Sequence, residues 1–490
     1  MRVRAWIIAV CALAAIAVSV WQLERDRAGL EIEALDVGAI PATVYRAGDT
    51  PRPVVVIAHG FAGSRQLMEP FALTLAQAGY AAVSFDFAGH GRNPVPMSGD
   101  VTRIDGTTRL LMDEVGAVTD AALAQPWADG RVALLGHSMA SDIIVRQALE
   151  DARVEAVVAI SMFSEAVTAD APVRLLILTG EWEGLLAEEA LRALRLVDPG
   201  ADYGETVGPP PRRAVLAPSV EHVGVLYSGT SLREARAWLG EGFGQSADGA
   251  VTLRGGWILL LLGGLAVLAW PLSRLAPVAP RQAAAIPRGV FWQASLLPAL
   301  ITPLLLWPVE FRVLPVLVAD YLGLHMLVYG GLSLFILWRA GILRRDGRAL
   351  IWGGVLALYG IAVFGGALDR YVSSFMPHAG RIAVIAVLCL GAIPYMLSDA
   401  ILSAGGAAPI WRRLIVKLAF LGSLGIAVAL DFEGLMFLLI ILPVIVLFFS
   451  VFGLMGGWVG RRIGTPYPVG LGLGLVLAWS LGVTFPMFAG

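Results

Sequence analysis

Long runs of apolar residues fill the C-terminal half of the chain, whereas shorter apolar and polar stretches alternate in the N-terminal half. A helix needs about 20 apolar residues to cross the hydrocarbon core of a membrane. One short run and eight longer ones approach this length, at residues 5–21, 257–273, 289–307, 313–338, 349–367, 382–402, 414–430, 435–456 and 467–488. The pattern therefore predicts an N-terminal membrane segment and a C-terminal all-α membrane bundle.

The region between the first and second long runs has the pattern of a globular α/β domain. Short apolar runs typical of buried strands alternate with amphipathic stretches, which favours a mostly parallel sheet covered by helices. A small, polar, glycine-rich stretch follows this region. We therefore predict four parts: residues 1–25 as an anchor, 26–245 as the α/β domain, 246–256 as a linker and 257–490 as a membrane domain of about eight helices.

The first apolar run has a second interpretation. Residues 17–19 resemble a small-residue cleavage site, and Arg2 and Arg4 precede the run as in a signal peptide. The run is long for a signal peptide, however, and Trp21 follows it where an interfacial anchor is expected. We interpret the segment as a retained anchor, with a cleaved signal peptide as the alternative.

Basic residues are unevenly distributed among the loops between the apolar runs. With the N-terminus in the cytoplasm, the cytoplasmic segments carry Arg2, Arg4, Arg274, Arg281, Arg288, Arg339, Arg344, Arg345, Arg348, Arg412, Arg413, Lys417, Arg461 and Arg462. The short loops on the other side carry Arg312, Arg370 and Arg381. Because basic residues resist translocation, this bias predicts a multi-pass protein of the cytoplasmic (inner) membrane whose α/β domain faces the periplasm or exterior.

Composition agrees with a membrane protein and restricts the chemistry. Hydrophobic residues make up 57% of the chain and charged residues 15%. The formal net charge is −2, and without a basic patch no nucleic-acid partner is expected. The two cysteines, Cys11 and Cys389, lie far apart in apolar runs, so no disulfide framework or metal site is expected, and no cofactor motif is present.

Residues 136–140, Gly-His-Ser-Met-Ala, lie between an apolar strand and an amphipathic helix. Strand, sharp turn and helix are the context of a nucleophile elbow, in which the turn exposes a serine. Small flanking residues let the elbow pack closely, and Ala140 occupies the place of the usual second glycine. Ser138 is therefore the candidate nucleophile, and the amide of Met139, at a helix N-terminus, is a candidate oxyanion donor.

Further motifs follow in a fixed order around this elbow: His-Gly at 59–60, "DFAGHG" at 86–91, "GEWE" at 180–183 and "EH" at 221–222. Together with the elbow they resemble the α/β-hydrolase family over residues 30–240. The resemblance implies an α/β-hydrolase fold with the chain order serine, acid, histidine. About a dozen residues separate the strands at 154–160 and 173–178, so we expect no cap domain.

The resemblance also implies roles for particular residues. The family acid usually sits three residues after the glycine that ends the penultimate strand, which is Glu183 here, although most members have aspartate. Because the glutamate arm is longer, Glu181 remains an alternative acid, and Glu165, after the preceding strand, is another. His222 alone among the six histidines follows these acids and precedes the membrane helices, so it is the candidate general base. The amide of Phe61 is the second candidate oxyanion donor.

These residues predict a serine hydrolase that cleaves a carboxylic ester or related acyl bond through an acyl-enzyme at the extracytoplasmic face. Because the domain is tethered to the membrane at both ends, we expect an amphipathic or lipid substrate. One alternative is an acyltransferase using the same triad. Another is a membrane transport or assembly protein whose hydrolase-like domain only binds.

Three ionisable residues, Asp320, His325 and Asp399, fall in or near the apolar runs. Charged groups within a membrane are costly and often functional, so a relay or binding site is one interpretation. We favour hydrogen bonding between helices. His59 and His90 are expected to hold loops by hydrogen bonds, and Asp86 to organise its loop.

Overall fold

The computed structural model describes residues 2–100, 104–246, 249–280, 285–307, 309, 314–316, 318–344 and 346–489. Three arginines counted above, Arg281, Arg312 and Arg345, lie outside these residues. So do residues 247–248 of the expected linker and residues 313 and 317 of the span predicted at 313–338.

Nine strands form one mixed, mostly parallel sheet in the N-terminal domain, in the order β1-β2-β4-β3-β5-β6-β7-β9-β8. Their bounds are β1 Glu31–Leu35, β2 Ala42–Arg46, β3 Arg52–Ala58, β4 Ala81–Phe85, β5 Ala128–His137, β6 Val154–Ile160, β7 Leu175–Gly180, β8 Gly204–Glu205 and β9 Arg212–Ala217. The pairs β1–β2, β2–β4 and β8–β9 are antiparallel, and all other neighbours are parallel. The prediction of a mostly parallel α/β sheet is confirmed.

Helices α2–α6 cover both faces of this sheet, and α1 is the first candidate membrane span. Their bounds are α1 Arg2–Arg25, α2 Glu69–Gln77, α3 Arg109–Leu123, α4 Met139–Glu150, α5 Gly184–Arg195 and α6 Gly229–Phe243. Side chains alternate along β3, so Val54 and Val56 pack towards α3, α4 and α5, whereas Val55 and Ile57 pack towards α2 and α6. All four are fully buried, which explains why a continuous apolar run marks a strand covered on both faces.

The C-terminal region is all helical. Its helices are α7 Gly255–Ser273, α8 Arg288–Leu306, α9 Ala319–Arg339, α10 Arg348–Leu358, α11 Gly365–Tyr371, α12 Ala379–Leu402, α13 Ile410–Leu430, α14 Phe432–Leu435, α15 Leu438–Ile463 and α16 Tyr467–Thr484. A helical segment joins α10 to α11, so that 348–371 is one continuous span. Within the described residues, nine helices are long and apolar enough to cross a membrane, and each corresponds to one predicted run.

The last predicted span, 467–488, is too long by four residues. Helix α16 ends at Thr484, and the tail crosses to the loop between β4 and α3 of the hydrolase-like domain. The amide of Met487 donates to the carbonyl of Gly89, and the amide of Met97 donates to the carbonyl of Met487, both at 2.8 Å. These partners satisfy the backbone of the tail outside a helix, which an apolar run alone does not reveal.

The expected linker is packed against the α/β domain rather than extended. The amide of Thr252 donates to Thr74 at 3.1 Å, and Arg254, which has no exposed surface, pairs with Glu69 at 2.9 Å. Arg254 also donates to the carbonyl of Leu23 at the end of α1. These two contacts supply the partners that a buried charge needs. Through them Arg254, just before α7, joins the ends of α1 and α2.

Candidate active site

Ser138 lies in the turn between β5 and α4 with φ 55° and ψ −119°, a conformation that L-residues rarely adopt. Its amide donates to the carbonyl of Ile160 on the neighbouring strand at 2.8 Å. A side chain at Gly136 would bring its Cβ to within 2.8 Å of the carbonyl oxygen of Ala140, so the turn requires glycine there. Ala140 itself is buried without such a conflict. The elbow expected from the sequence is therefore formed, with the serine at its tip.

His222 follows β9 and reaches the serine. Its Nε2 lies 2.8 Å from the hydroxyl oxygen of Ser138, so the serine hydroxyl can donate to it. The side chain of His222 is 44% exposed, which leaves the site accessible to water. The ring of His137 donates from Nε2 to the backbone carbonyl of His222 at 2.8 Å, and this contact fixes the loop.

Glu183 contacts the other ring nitrogen of His222. The distance from Oε1 to Nδ1 is 2.5 Å, and Oε2 accepts from the amide of Gly180 at 2.6 Å and from the hydroxyl of Ser161 at 2.9 Å. Burial acts to raise the pKa of Glu183, but the hydrogen bonds from His222, Gly180 and Ser161 outweigh burial and lower it. The carboxylate is therefore ionised at neutral pH and fixes the proton of His222 on Nδ1.

The two alternative acids lie elsewhere. Glu181 is exposed, and its carboxylate accepts a hydrogen bond from the amide of Ser219 at 2.7 Å. Glu165 is exposed on the segment after β6. The structure thus brings Ser138, His222 and Glu183 together at the carboxyl ends of β5, β9 and β7, and it leaves Glu181 and Glu165 outside this group.

The two candidate oxyanion donors flank the serine. A Cβ on Gly60 would lie 3.0 Å from the Cβ of Ser138, so only glycine lets the loop after β3 approach the elbow this closely. Phe61 follows this glycine, and Met139 follows the serine at the first turn of α4. Among the described residues, neither the Phe61 nor the Met139 amide has an acceptor. Both N–H groups are therefore free to bind a developing negative charge.

Two buried histidines hold the loops behind the site. His59 accepts from the amide of Phe87 at Nε2 and donates from Nδ1 to the carbonyl of Gly60, at 3.1 and 2.8 Å. His90 donates to the carbonyl of Ala88 at 2.9 Å. Burial lowers the pKa of both histidines, so they are neutral structural residues. Asp86 organises the same loop, because its carboxylate accepts from the amides of Arg65 and Arg92.

Three contributing residues were not identified as functional from the sequence. Ser161 follows β6 directly, and the rule that neighbouring parallel strands end at one edge could have found it. His137 lies next to the nucleophile, and its contact with the backbone of His222 forms only in the folded chain. Glu114 accepts from the amide of Ala88 and from Asn93, at 2.7 and 2.9 Å, and burial raises its pKa to about 7. Glu114 could not be identified from the sequence, because charged residues are common on amphipathic helices and its partners lie on a distant loop.

The membrane region lies against this side of the hydrolase-like domain. The rings of Phe61 and Phe437 are 5.5 Å apart, and the hydroxyl of Ser64 lies 3.2 Å from that of Ser373.

The segment between β6 and β7, residues 161–174, contains no helix, so the domain has no cap inserted there.

Asp320 and His325 both lie on α9. Asp320 accepts from the amide of Leu314 at 2.9 Å. His325 lies 3.0 Å from the hydroxyl of Ser423 on α13 and 3.4 Å from that of Tyr321. His325 thus contacts a hydroxyl of a neighbouring helix.

Asp399 of α12 forms an ion pair with Lys417 of α13 at 2.8 Å. A paired charge between two helices is the arrangement that makes an ionisable group tolerable within a membrane. Among the described residues, no group of three or more histidine, cysteine or acidic side chains could hold a metal ion.

The sheet order and the elbow give the N-terminal part an α/β-hydrolase fold, and a region of long apolar helices follows it. Residues 49–191 match the family described as serine aminopeptidase, S33. This match includes Ser138 and Glu183 and ends before His222.

Similarity to individual proteins is confined to part of the chain. Esterase YjfP of Escherichia coli strain K12 is 36% identical over 118 residues, which are 22% of this chain and 46% of that protein. An uncharacterized 31.7 kDa protein from the traX-finO intergenic region of Escherichia coli is 29% identical over 120 residues, 24% of this chain and 40% of that protein. The chain therefore spans less than half the length of these curated relatives.

Among solved structures, the dienelactone hydrolase of Anabaena variabilis is 19% identical with a TM-score of 0.34. That similarity covers 44% of this chain and 99% of the other.

Proposed function

We propose that this protein is a membrane-bound serine hydrolase that cleaves a carboxylic ester or related acyl bond through a Ser138–His222–Glu183 triad. The observation that carries the proposal is the continuous hydrogen-bonded series from the serine hydroxyl to the buried carboxylate, with distances of 2.8 and 2.5 Å. Such a series is the arrangement that activates a serine for attack on a carbonyl.

Acylation uses both nitrogens of His222. As the oxygen of Ser138 bonds to the carbonyl carbon, its proton passes to Nε2, and Glu183 stabilises the resulting imidazolium. The carbonyl oxygen becomes an oxyanion that the amides of Phe61 and Met139 hydrogen-bond. When the bond to the leaving alcohol breaks, His222 returns the proton to the alcohol oxygen, and the acyl group remains on Ser138.

Deacylation reverses these roles. A water molecule gives a proton to His222 while its oxygen bonds to the acyl carbon, and Ser138 leaves and recovers the proton. The exposure of the His222 side chain, 44%, supports access by water and therefore hydrolysis. A bound alcohol in place of water would transfer the acyl group instead.

The attachment of the domain supports an amphipathic or lipid substrate. Glu24, at the end of α1, pairs with Arg370 at 2.8 Å and accepts from the hydroxyl of Tyr371 at 2.8 Å. These contacts join two candidate spans to each other. The contacts of the buried Arg254 and an ion pair between Arg92 and Asp369 of α11, at 2.6 Å, hold the domain on the ends of α1, α7 and α11. A site held at the membrane meets lipid esters at high effective concentration.

Loop contacts and charge together support an extracytoplasmic site. The domain contacts Ser373, Phe437 and Met487, which lie after the fifth, seventh and ninth spans. At the opposite ends of the spans, Arg462 near the end of α15 donates to the carbonyl of Ala276, on the loop after the second span, at 2.9 Å. Because these opposite ends carry most of the basic residues, we propose that they face the cytoplasm and that the triad faces outward.

The test is a panel of esters and a fluorophosphonate probe applied to the purified full-length protein and to Ser138→Ala. The variant should lose the probe signal and about four to six orders of magnitude in turnover. The matched control is Ser228→Ala, a change in the same domain at a hydroxyl with no hydrogen bond among the described side chains. Wild-type activity that survives in Ser138→Ala would refute the nucleophile.

Two other results would select the alternatives. Acyl transfer to an added alcohol in preference to water would identify an acyltransferase. A wild-type protein that neither labels nor turns over any ester would favour a domain that only binds.

A further inference from the structure

An open apolar pocket lies between the hydrolase domain and the membrane helices. Phe61 and Ala62 form one wall, and Phe437, Ile440 and Val444 at the start of α15 form another. The end of α16 closes a third side. The empty space, about 530 Å³, includes the side that is open to the surroundings, so the pocket is an open groove and not a closed cavity.

The lining offers nothing to a polar ligand. Among the described lining residues, the side-chain hydroxyls are those of Ser480 and Thr484. Each already donates to a carbonyl of its own helix, Ser480 to Val476 at 2.8 Å and Thr484 to Ser480 at 2.7 Å. A headgroup, sugar or ion would find no free partner there, whereas a hydrocarbon chain would lose nothing on entering.

One end of the pocket adjoins the proposed oxyanion site. Phe61 supplies its ring to the pocket and its backbone amide to the proposed oxyanion hole, and the preceding Gly60 lies against Ser138. Phe61 is thus shared between the pocket and the proposed oxyanion hole.

The other end opens to the surface of α15 that would face lipid. Ile440 and Val444 are 54% and 44% exposed although both are apolar. Their neighbours Leu439 and Val446 are exposed to a similar extent, 47% and 45%, but do not line the pocket. On a candidate membrane span, this surface is in contact with hydrocarbon chains.

We propose that this pocket binds a long hydrocarbon chain of a membrane-resident ester, which enters sideways from the bilayer while its ester bond reaches Ser138. This inference rests on the proposed hydrolase function and names the membrane helices as the part that selects the substrate. Relative to the ester in water, each methylene buried in the pocket should strengthen binding about fourfold. The protein should therefore prefer long-chain esters.

The test compares Val444→Trp, which fills the pocket, with Val446→Trp, which adds the same side chain to the same helix outside it. Both are measured as full-length protein in lipid nanodiscs, with 4-nitrophenyl esters from acetate to palmitate. The ratio of kcat/KM for the palmitate ester to that for the acetate ester should fall at least about tenfold in Val444→Trp. In Val446→Trp the ratio should stay within about twofold of wild type.

A second pair, Ile440→Trp against Leu439→Trp, repeats the comparison in case one variant does not fold. Fluorophosphonate labelling of each variant confirms an intact site before the ratio is measured. A parallel series of acetate esters with alcohols of increasing length distinguishes an acyl chain from an alcohol chain as the occupant. A selective effect of pocket-filling in either series supports the proposal.

The proposal fails if the wild type hydrolyses esters without regard to chain length in both series. It also fails if the pocket variants and their matched controls change the chain-length ratio equally. Failure of the hydrolase function itself has a different signature, because no ester is then hydrolysed by the wild type at any chain length.

Discussion

His137 donates a hydrogen bond from Nε2 to the backbone carbonyl of His222, and the centres of the two rings are 4.8 Å apart. Burial, aided by the nearby charge of His222, lowers the pKa of His137 to about 4, so the ring is neutral at physiological pH. The residue that precedes the elbow serine thus holds the loop that carries the candidate base. The contact therefore joins the nucleophile elbow to the loop that carries His222, and it uses the backbone of His222 and not its reacting ring.

Replacing His137 should slow turnover without weakening substrate binding. His137→Phe keeps a ring of similar size but removes the N–H, and we expect kcat to fall about tenfold, because one such hydrogen bond contributes about 1–1.5 kcal/mol. His137→Gln places an amide nitrogen near the same carbonyl and should recover most of the loss. Steady-state kinetics with a short-chain ester measure both. An equal loss in the two variants would mean that ring packing, and not the hydrogen bond, positions the loop.

Glu183→Gln should reduce kcat by about three to four orders of magnitude, because an amide cannot stabilise the imidazolium and favours the wrong tautomer. Glu181→Gln and Glu165→Gln should each stay within about threefold of wild type, since neither side chain contacts His222. Ester hydrolysis by the three purified variants provides the comparison. A severe loss in Glu181→Gln with an active Glu183→Gln would reassign the acid.

Glu114 should make stability depend on pH. Its folded pKa of about 7 lies above the ordinary value of 4.5, mainly because the side chain is buried. As the pH rises from about 4.5 to 7, the unfolded chain releases this proton first, so the free energy of unfolding should decrease over that window. Thermal unfolding at a series of pH values should show a smaller decrease in Glu114→Gln. An identical slope in the variant would exclude Glu114 as the source.

The two faces of the membrane region should differ in access to a reporter that is active only outside the cytoplasm. Fusions after Gly240 and after Glu433 should be active, and fusions after Arg345 and after Arg462 should be silent, because basic residues resist translocation. A second reporter that is active only inside the cytoplasm should give the opposite pattern. Activity of that second reporter after Gly240 would reverse the orientation and give the site access to inner-leaflet lipids instead.

The sequence by itself determined the elements and their order. Apolar runs of membrane length identified the candidate spans, and the strand–turn–helix pattern around Ser138 identified the elbow, because both patterns are set by residues close together along the chain. Alternation of strands and helices also implied the mostly parallel sheet. Candidate residues at strand ends followed from the same local patterns together with the family resemblance.

Only the tertiary structure decided which distant segments meet. Three glutamates satisfied the sequence pattern, and the path of the loops after β7 and β9 brings Glu183 rather than Glu181 to His222. The end of α16 at Thr484 depends on hydrogen bonds that the loop at Gly89 offers to Met487. The apolar pocket likewise exists only where two regions pack together. Such contacts depend on the packing of the whole chain, so no local periodicity encodes them.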